Sequence, residues 1–96
     1  MAAGDAYVVV PTSLASNGFL DLQPAGATEI SIHTIYYAGA MELYWYDGTN
    51  SIKFDSDGVA GCRRNLTHKC TNAVRIRVKN VSGGTAFFAA DGMYTK

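Results

Sequence analysis

The stretch Ala73-Val-Arg-Ile-Arg-Val-Lys-Asn80 alternates apolar and basic side chains without a break. Side chains on a β-strand point to opposite faces at every second residue, so Val74, Ile76 and Val78 belong to one face and Arg75, Arg77 and Lys79 to the other. The first face needs an interior to bury it; the second is an outward cationic ladder.

Outward from this strand, turn signals recur roughly every ten residues with β-branched and aromatic runs between them, the pattern of an all-β protein. Strands are predicted near Tyr7–Val10, Phe19–Leu22, Glu29–Tyr37, Met41–Asp47, Ser51–Asp55, Leu66–Cys70, Val74–Asn80 and Ala86–Ala90. No stretch has helical periodicity, so the expected fold is a small antiparallel β-sandwich or compact barrel of about eight short strands. Asp47-Gly48 between two apolar runs reads as a hairpin turn, because both residues tolerate positive φ. Val81-Ser-Gly-Gly-Thr85 reads as a second turn, and Pro24-Ala-Gly26 as a chain break. The long glycine-rich connection Ser56–Arg64 reads as a mobile binding loop. In the third strand the apolar parity changes between Ile30, Ile32 and Ile35, Tyr37, which predicts a β-bulge near His33 and Thr34.

The 96 residues make one domain, 1–96, with residues 1–5 expected as a flexible N-terminal arm. A chain 48% hydrophobic and 17% charged, with six Tyr and four Phe, folds as a globule, and its low charge suggests that neighbours cover part of its surface. Met1-Ala-Ala-Gly-Asp5 has no basic start and no long apolar run, so no secretory signal is expected. Cys62 and Cys70 then read as reduced thiols of a protein made in the cytoplasm, with a disulfide across the short loop as the alternative.

Charge is divided along the chain. The first 48 residues hold five carboxylates and no Lys or Arg, while the last 48 hold eight Lys and Arg against three carboxylates, so the halves stand at −5 and +5 and the net is zero. A zero net charge gives no general attraction to nucleic acid or to a membrane. Such halves suit head-to-tail packing of copies, unless the strands interleave in space and mix the charges.

Chemistry-bearing motifs are sparse. His68-Lys-Cys70 sets an imidazole and a thiol on one strand face, and Cys62 would be a third zinc ligand, but paired-cysteine spacing is missing. Asp55-Ser-Asp-Gly58 resembles the start of a calcium loop without its later acidic ligand; a turn whose Asp side chains accept backbone N–H groups accounts for it. No nucleophile elbow or glycine-rich phosphate loop occurs, so no enzyme, metal or cofactor is expected. Tyr44 and Tyr46 face outward if Met41, Leu43 and Trp45 face the core.

The runs Glu29-Ile-Ser-Ile-His-Thr-Ile-Tyr-Tyr37, Asp47-Gly-Thr-Asn-Ser-Ile-Lys-Phe-Asp-Ser56, His68-Lys-Cys-Thr-Asn-Ala-Val-Arg-Ile-Arg-Val-Lys-Asn-Val-Ser-Gly-Gly84 and Asp91-Gly-Met-Tyr-Thr-Lys96 resemble small virion structural proteins of tailed bacteriophages, above all head decoration (cement) proteins. The resemblance implies a β-rich subunit, often a trimer, that binds the assembled capsid lattice through the major capsid protein or another virion protein. On that reading Arg63, Arg64, Arg75, Arg77 and Lys79 meet an acidic partner, and Tyr44 and Tyr46 serve self-association. The rival expectation is a tail-tip or fibre adhesion module that recognises host glycan through its exposed aromatics.

Overall fold

The computed structural model describes residues 2–96 and builds them from nine β-strands in two antiparallel sheets. The strands are β1 (Ala6–Leu14), β2 (Phe19–Leu22), β3 (Glu29–Tyr37), β4 (Met41–Tyr46), β5 (Ser51–Asp57), β6 (Gly61–Arg63), β7 (His68–Thr71), β8 (Arg75–Asn80) and β9 (Ala86–Tyr94). The expected all-β sandwich is the observed fold. One sheet runs β1-β9-β3, with β6 and β7 sharing the far side of β3; the other runs β2-β8-β4-β5.

The pairing is nested. β4 pairs β5, β3 pairs β6 and β7, β2 pairs β8, and β1 pairs β9. The chain is therefore one long hairpin with its tip at Asp47–Asn50, rolled so that β3 also meets β9 and β4 meets β8. This nesting, split between two sheets each four strand positions wide, is the strand order of a jelly roll. At the tip, Asp47 Oδ1 accepts the N–H groups of Thr49 at 2.9 Å and Asn50 at 2.7 Å, while Gly48 takes φ 95°. The Asp-Gly pair read as a local turn is the point about which the whole ribbon doubles back.

The core lies between the sheets. Ile30, Ile32, Ile35, Tyr37, Phe88, Ala90 and Cys70 from one sheet meet Leu22, Met41, Leu43, Ile76 and Val78 from the other, all buried. The alternation of β8 falls as expected, with Ile76 and Val78 inside. The parity break in β3 is also where it was expected: Ile32 pairs Gly92 but Thr34 pairs Asp91, so His33 is the extra residue of a bulge. Gly92 is required there, because a Cβ would stand 2.0 Å from the carbonyl oxygen of Ser31. A second bulge in β1 lies between Val9 and Thr12, where Pro11 is accommodated on an edge strand.

Three expectations are corrected. β1 and β9 run farther than read, through Pro11 and through Gly92, because bulges let strands continue past residues that sequence rules treat as breakers. The Ser56–Arg64 segment is not a free loop: it ends β5 and contains β6, which pairs with β3 at Ile35–Tyr37. Of the supposed N-terminal arm, Met1 lies outside the described residues, while Gly4 N–H donates to Tyr94 O and Tyr94 N–H to Asp5 O, each at 2.8 Å, tying the segment to β9.

One buried polar residue holds an end of the sandwich together. Asn80, the last inward residue of β8, is fully buried; its Nδ2 donates to the carbonyls of Leu14 at 2.9 Å, Ala15 at 3.2 Å and Gly84 at 2.8 Å. Its Oδ1 accepts Ser82 N–H at 2.9 Å and Ser82 Oγ–H at 2.7 Å. One side chain thus binds the β1–β2 and β8–β9 connections to each other. Asn80→Ala leaves those groups unsatisfied and opens a cavity, and is expected to lose about 3 kcal/mol, or more than about 10 °C of Tm, measured by calorimetry.

Candidate functional site

The outer face of the β2-β8-β4-β5 sheet gathers five of the residues singled out from sequence: Arg75, Arg77, Lys79, Tyr44 and Tyr46. The face is not a bare cationic ladder. Asp21 on β2 sits opposite Arg77 and takes Arg77 Nε at 2.6 Å and Arg75 Nη2 at 3.2 Å. Burial alone would raise the Asp21 carboxyl, but the hydrogen bonds from Arg77 and Arg75 outweigh it and hold the group below its usual value. Aromatic rings cover the guanidinium from both sides: Arg77 lies 3.8 Å from the Tyr46 centroid and 4.6 Å from that of Phe19, and Arg75 lies 4.8 Å from Tyr46. The Tyr44 hydroxyl donates to Glu42, which also pairs with Lys53 at 3.5 Å. Lys79 makes no ion pair among the described residues; its ammonium stands 5.7 Å from the Phe19 ring.

The two loop arginines are elsewhere. Arg63 is in β6 on the other sheet and reaches across the open side of the sandwich, with Nε 2.7 Å from Asp55 Oδ2, Nη1 3.5 Å from Asp57 Oδ2 and Nη2 3.1 Å from Ser56 O. Tyr37 on β3 adds a hydroxyl bond of 2.7 Å to Asp57. Asp55 and Asp57 accept backbone N–H groups as the turn reading expects, Asp55 Oδ1 from Ser56 at 2.8 Å and Asp57 Oδ1 from Val59 at 3.3 Å, and in addition they clasp the two sheets together. The hydrogen bond from Arg63 lowers the Asp55 carboxyl, and the one from Tyr37 lowers Asp57. Burial, with the bond to Asp57, pushes Tyr37 up to about 12. Arg64 is exposed in the β6–β7 connection, with no carboxylate within ion-pair distance among the described residues.

The acidic and basic halves are mixed. Asp21 pairs with Arg75 and Arg77, Glu42 with Lys53, and Glu29 with Lys69 at 2.8 Å and Lys96 at 4.0 Å. Nested pairing puts each early strand beside a late one, so the division along the sequence disappears from the surface. The cysteines are free: Cys62 pairs Tyr36 on the outer face while Cys70 is in the core opposite Ile30, so their side chains leave the sheet on opposite sides. Among the described residues no three His, Cys, Asp or Glu side chains come together as a metal site.

Two surfaces were not legible as sites in the sequence. On the outer face of the β1-β9-β3 sheet, Val8, Val10, Pro11, Tyr36, Phe87 and Ala89 line two shallow depressions that share Pro11, Tyr36 and Ala89. Val8, Val10 and Phe87 are each more than half exposed, at 63%, 66% and 57%, and the charged residue of the lining, Asp91, receives the Tyr36 hydroxyl at 2.8 Å. The second surface is an open cleft between β5 and β7. Trp45, Ile52, Phe54 and His68 form its walls. A one-residue register slip between Leu43 and Tyr44 makes Phe54 the extra residue of β5; its ring stacks on His68 with centroids 5.1 Å apart, and Trp45 meets His68 edge-on at 6.2 Å.

Arg63→Ala is expected to lower the urea midpoint, whereas Arg64→Ala leaves it unchanged, because only Arg63 joins the sheets. The carboxyls of Asp21, Asp55 and Asp57 have lowered folded-state values, so the folded state binds fewer protons and their stabilisation is lost as pH falls below about 4. Burial lowers the His68 value as well; the unfolded imidazole protonates first, and stability begins to fall below about pH 6.5. Urea midpoints measured from pH 8 to 3 should decline in both windows, and a profile flat to pH 3 would contradict the assignment.

No protein-family model matches the chain and no curated protein matches its sequence.

Proposed function

We propose that this chain is a virion structural protein of a tailed bacteriophage, a capsid decoration protein that self-associates and binds the assembled head without catalysing a reaction. The observation that carries the reading is the apolar outer face formed by Val8, Val10, Pro11, Tyr36, Phe87 and Ala89. A freely soluble monomer rarely leaves so many large apolar side chains together on one sheet face, whereas an assembly component has them covered. The sequence resemblance supports the same reading, and jelly rolls recur in capsid proteins, which is support by analogy of fold alone.

In this proposal copies pack, as a trimer, through that apolar face. Tyr44 and Tyr46 are poorer candidates for self-association, because one hydroxyl is engaged by Glu42 and the other ring lies under Arg77. Head binding falls to the cations that make no ion pair among the described residues, Arg64 and Lys79, repeated over a lattice so that modest contacts combine. Arg63, Arg75 and Arg77 act inside the subunit, and reversing Arg75 or Arg77 would set a second carboxylate against Asp21 and perturb the fold itself.

Sedimentation of the purified protein is expected to show a trimer or larger ring. Val10→Asp with Phe87→Glu should give a folded monomer with an unaltered near-UV spectrum, and Arg64→Glu with Lys79→Glu should reduce co-sedimentation with empty heads at least tenfold. A wild-type monomer that ignores heads would overturn the reading.

A further inference from the structure

The cleft between β5 and β7 does not stand alone. A second, polar depression lined by His33, Thr34, Arg64, Asn65, Leu66 and Thr67 adjoins it, and Thr67 lines both. Their volumes are about 690 and 500 Å³, within the range of small-ligand sites, so the pair is large enough for a mono- or disaccharide. We infer that this composite groove binds an acidic saccharide, a sugar bearing a carboxylate, with its ring on the aromatic half and its carboxylate at Arg64.

Three features of the groove favour that occupant. Phe54 is 40% exposed and is turned onto His68 by the register slip in β5, and bulges commonly re-aim a side chain beside a site. With Ile52 and the steeply inclined Trp45 it lines an apolar wall for the C–H face of a pyranose. The adjoining half supplies the amide of Asn65 and the hydroxyls of Thr34 and Thr67, which match the hydroxyl groups of a sugar. Arg64 brings a planar guanidinium free of internal ion pairs among the described residues, and its fork fits a carboxylate in bidentate fashion. A nucleotide is a poorer match, because its phosphates call for several converging N–H groups or a helix N-terminus. Lys69, at the rim of the aromatic half, is paired with Glu29 at 2.8 Å, which leaves Arg64 as the cation for the ligand.

This groove shares Arg64 with the head-binding proposal but does not include Lys79, so Lys79→Glu tests head binding alone and sugar titration tests the groove alone. The test titrates the ¹⁵N-labelled native protein with sialyllactose, a hexuronate disaccharide, lactose and AMP, following amide shifts. Saturable shifts at Phe54, Arg64, Thr67 and His68 with either acidic sugar, and at least tenfold weaker binding of lactose, are expected. Arg64→Gln should remove the preference for the acidic sugar, and Phe54→Ser should weaken both sugars at least tenfold while each variant keeps the native melting profile. Absence of shifts at millimolar sugar, shifts confined to other surfaces, tighter binding of AMP, or an undiminished acidic preference in Arg64→Gln would each overturn the assignment.

Discussion

A sandwich of strands this short excludes water only if each strand keeps one parity of side chains facing the opposite sheet. That requirement governs the rest of the molecule. It fixes register, since a slip of one residue would carry Ile76 and Val78 to solvent and Arg75 and Arg77 into the core. It also accounts for the bulges. At His33, at Val10–Pro11 and at Phe54 one extra residue resets the phase of its strand, and in β3 this lets an imperfect alternation still deliver Ile30, Ile32, Ile35 and Tyr37 to the interior.

Polar groups close the edges that apolar burial cannot. Asn80 joins two connections at one end, and Arg63 with Asp55, Asp57 and Tyr37 fastens one sheet to the other along the open side. Both devices place charged or amide groups in partly desolvated surroundings where each is well paired, and a missing partner would be far more damaging than the pair is stabilising. Arg75 comes nearest to an exception: its Nε is buried without a hydrogen-bond acceptor, against the Tyr46 ring. Arginine on this surface consequently works as mortar between β2, β8 and β4.

That internal use of charge changes which surfaces are left for other molecules. Once Asp21 and two aromatic rings have enclosed Arg75 and Arg77, the outer face of the β2-β8-β4-β5 sheet has little to offer beyond Lys79. The surfaces with unfilled capacity are the apolar face around Val10 and Phe87 and the groove between Phe54 and Arg64. One is apolar apart from Asp91, which is engaged by Tyr36, and the other combines rings with Arg64, unpaired among the described residues, so they suit different occupants.

Much of the architecture was legible in residue order. Unbroken alternation in Val74–Asn80 gave a two-sided strand, Asp47-Gly48 gave the hairpin tip, and the phase change after Ile32 gave the bulge, because each is a local consequence of backbone geometry. β6 escaped notice, since Gly61-Cys62-Arg63 has no pattern of its own and is a strand only because β3 offers it an edge. The partners of the arginines were equally hidden: Asp21 lies 56 residues from Arg77, and only the rolling of the hairpin puts β2 beside β8. Sequence alone fixed which side chains leave each strand together; tertiary folding decided which of them would still be free to meet another molecule, because charge pairing and exposure depend on neighbours brought from far along the chain.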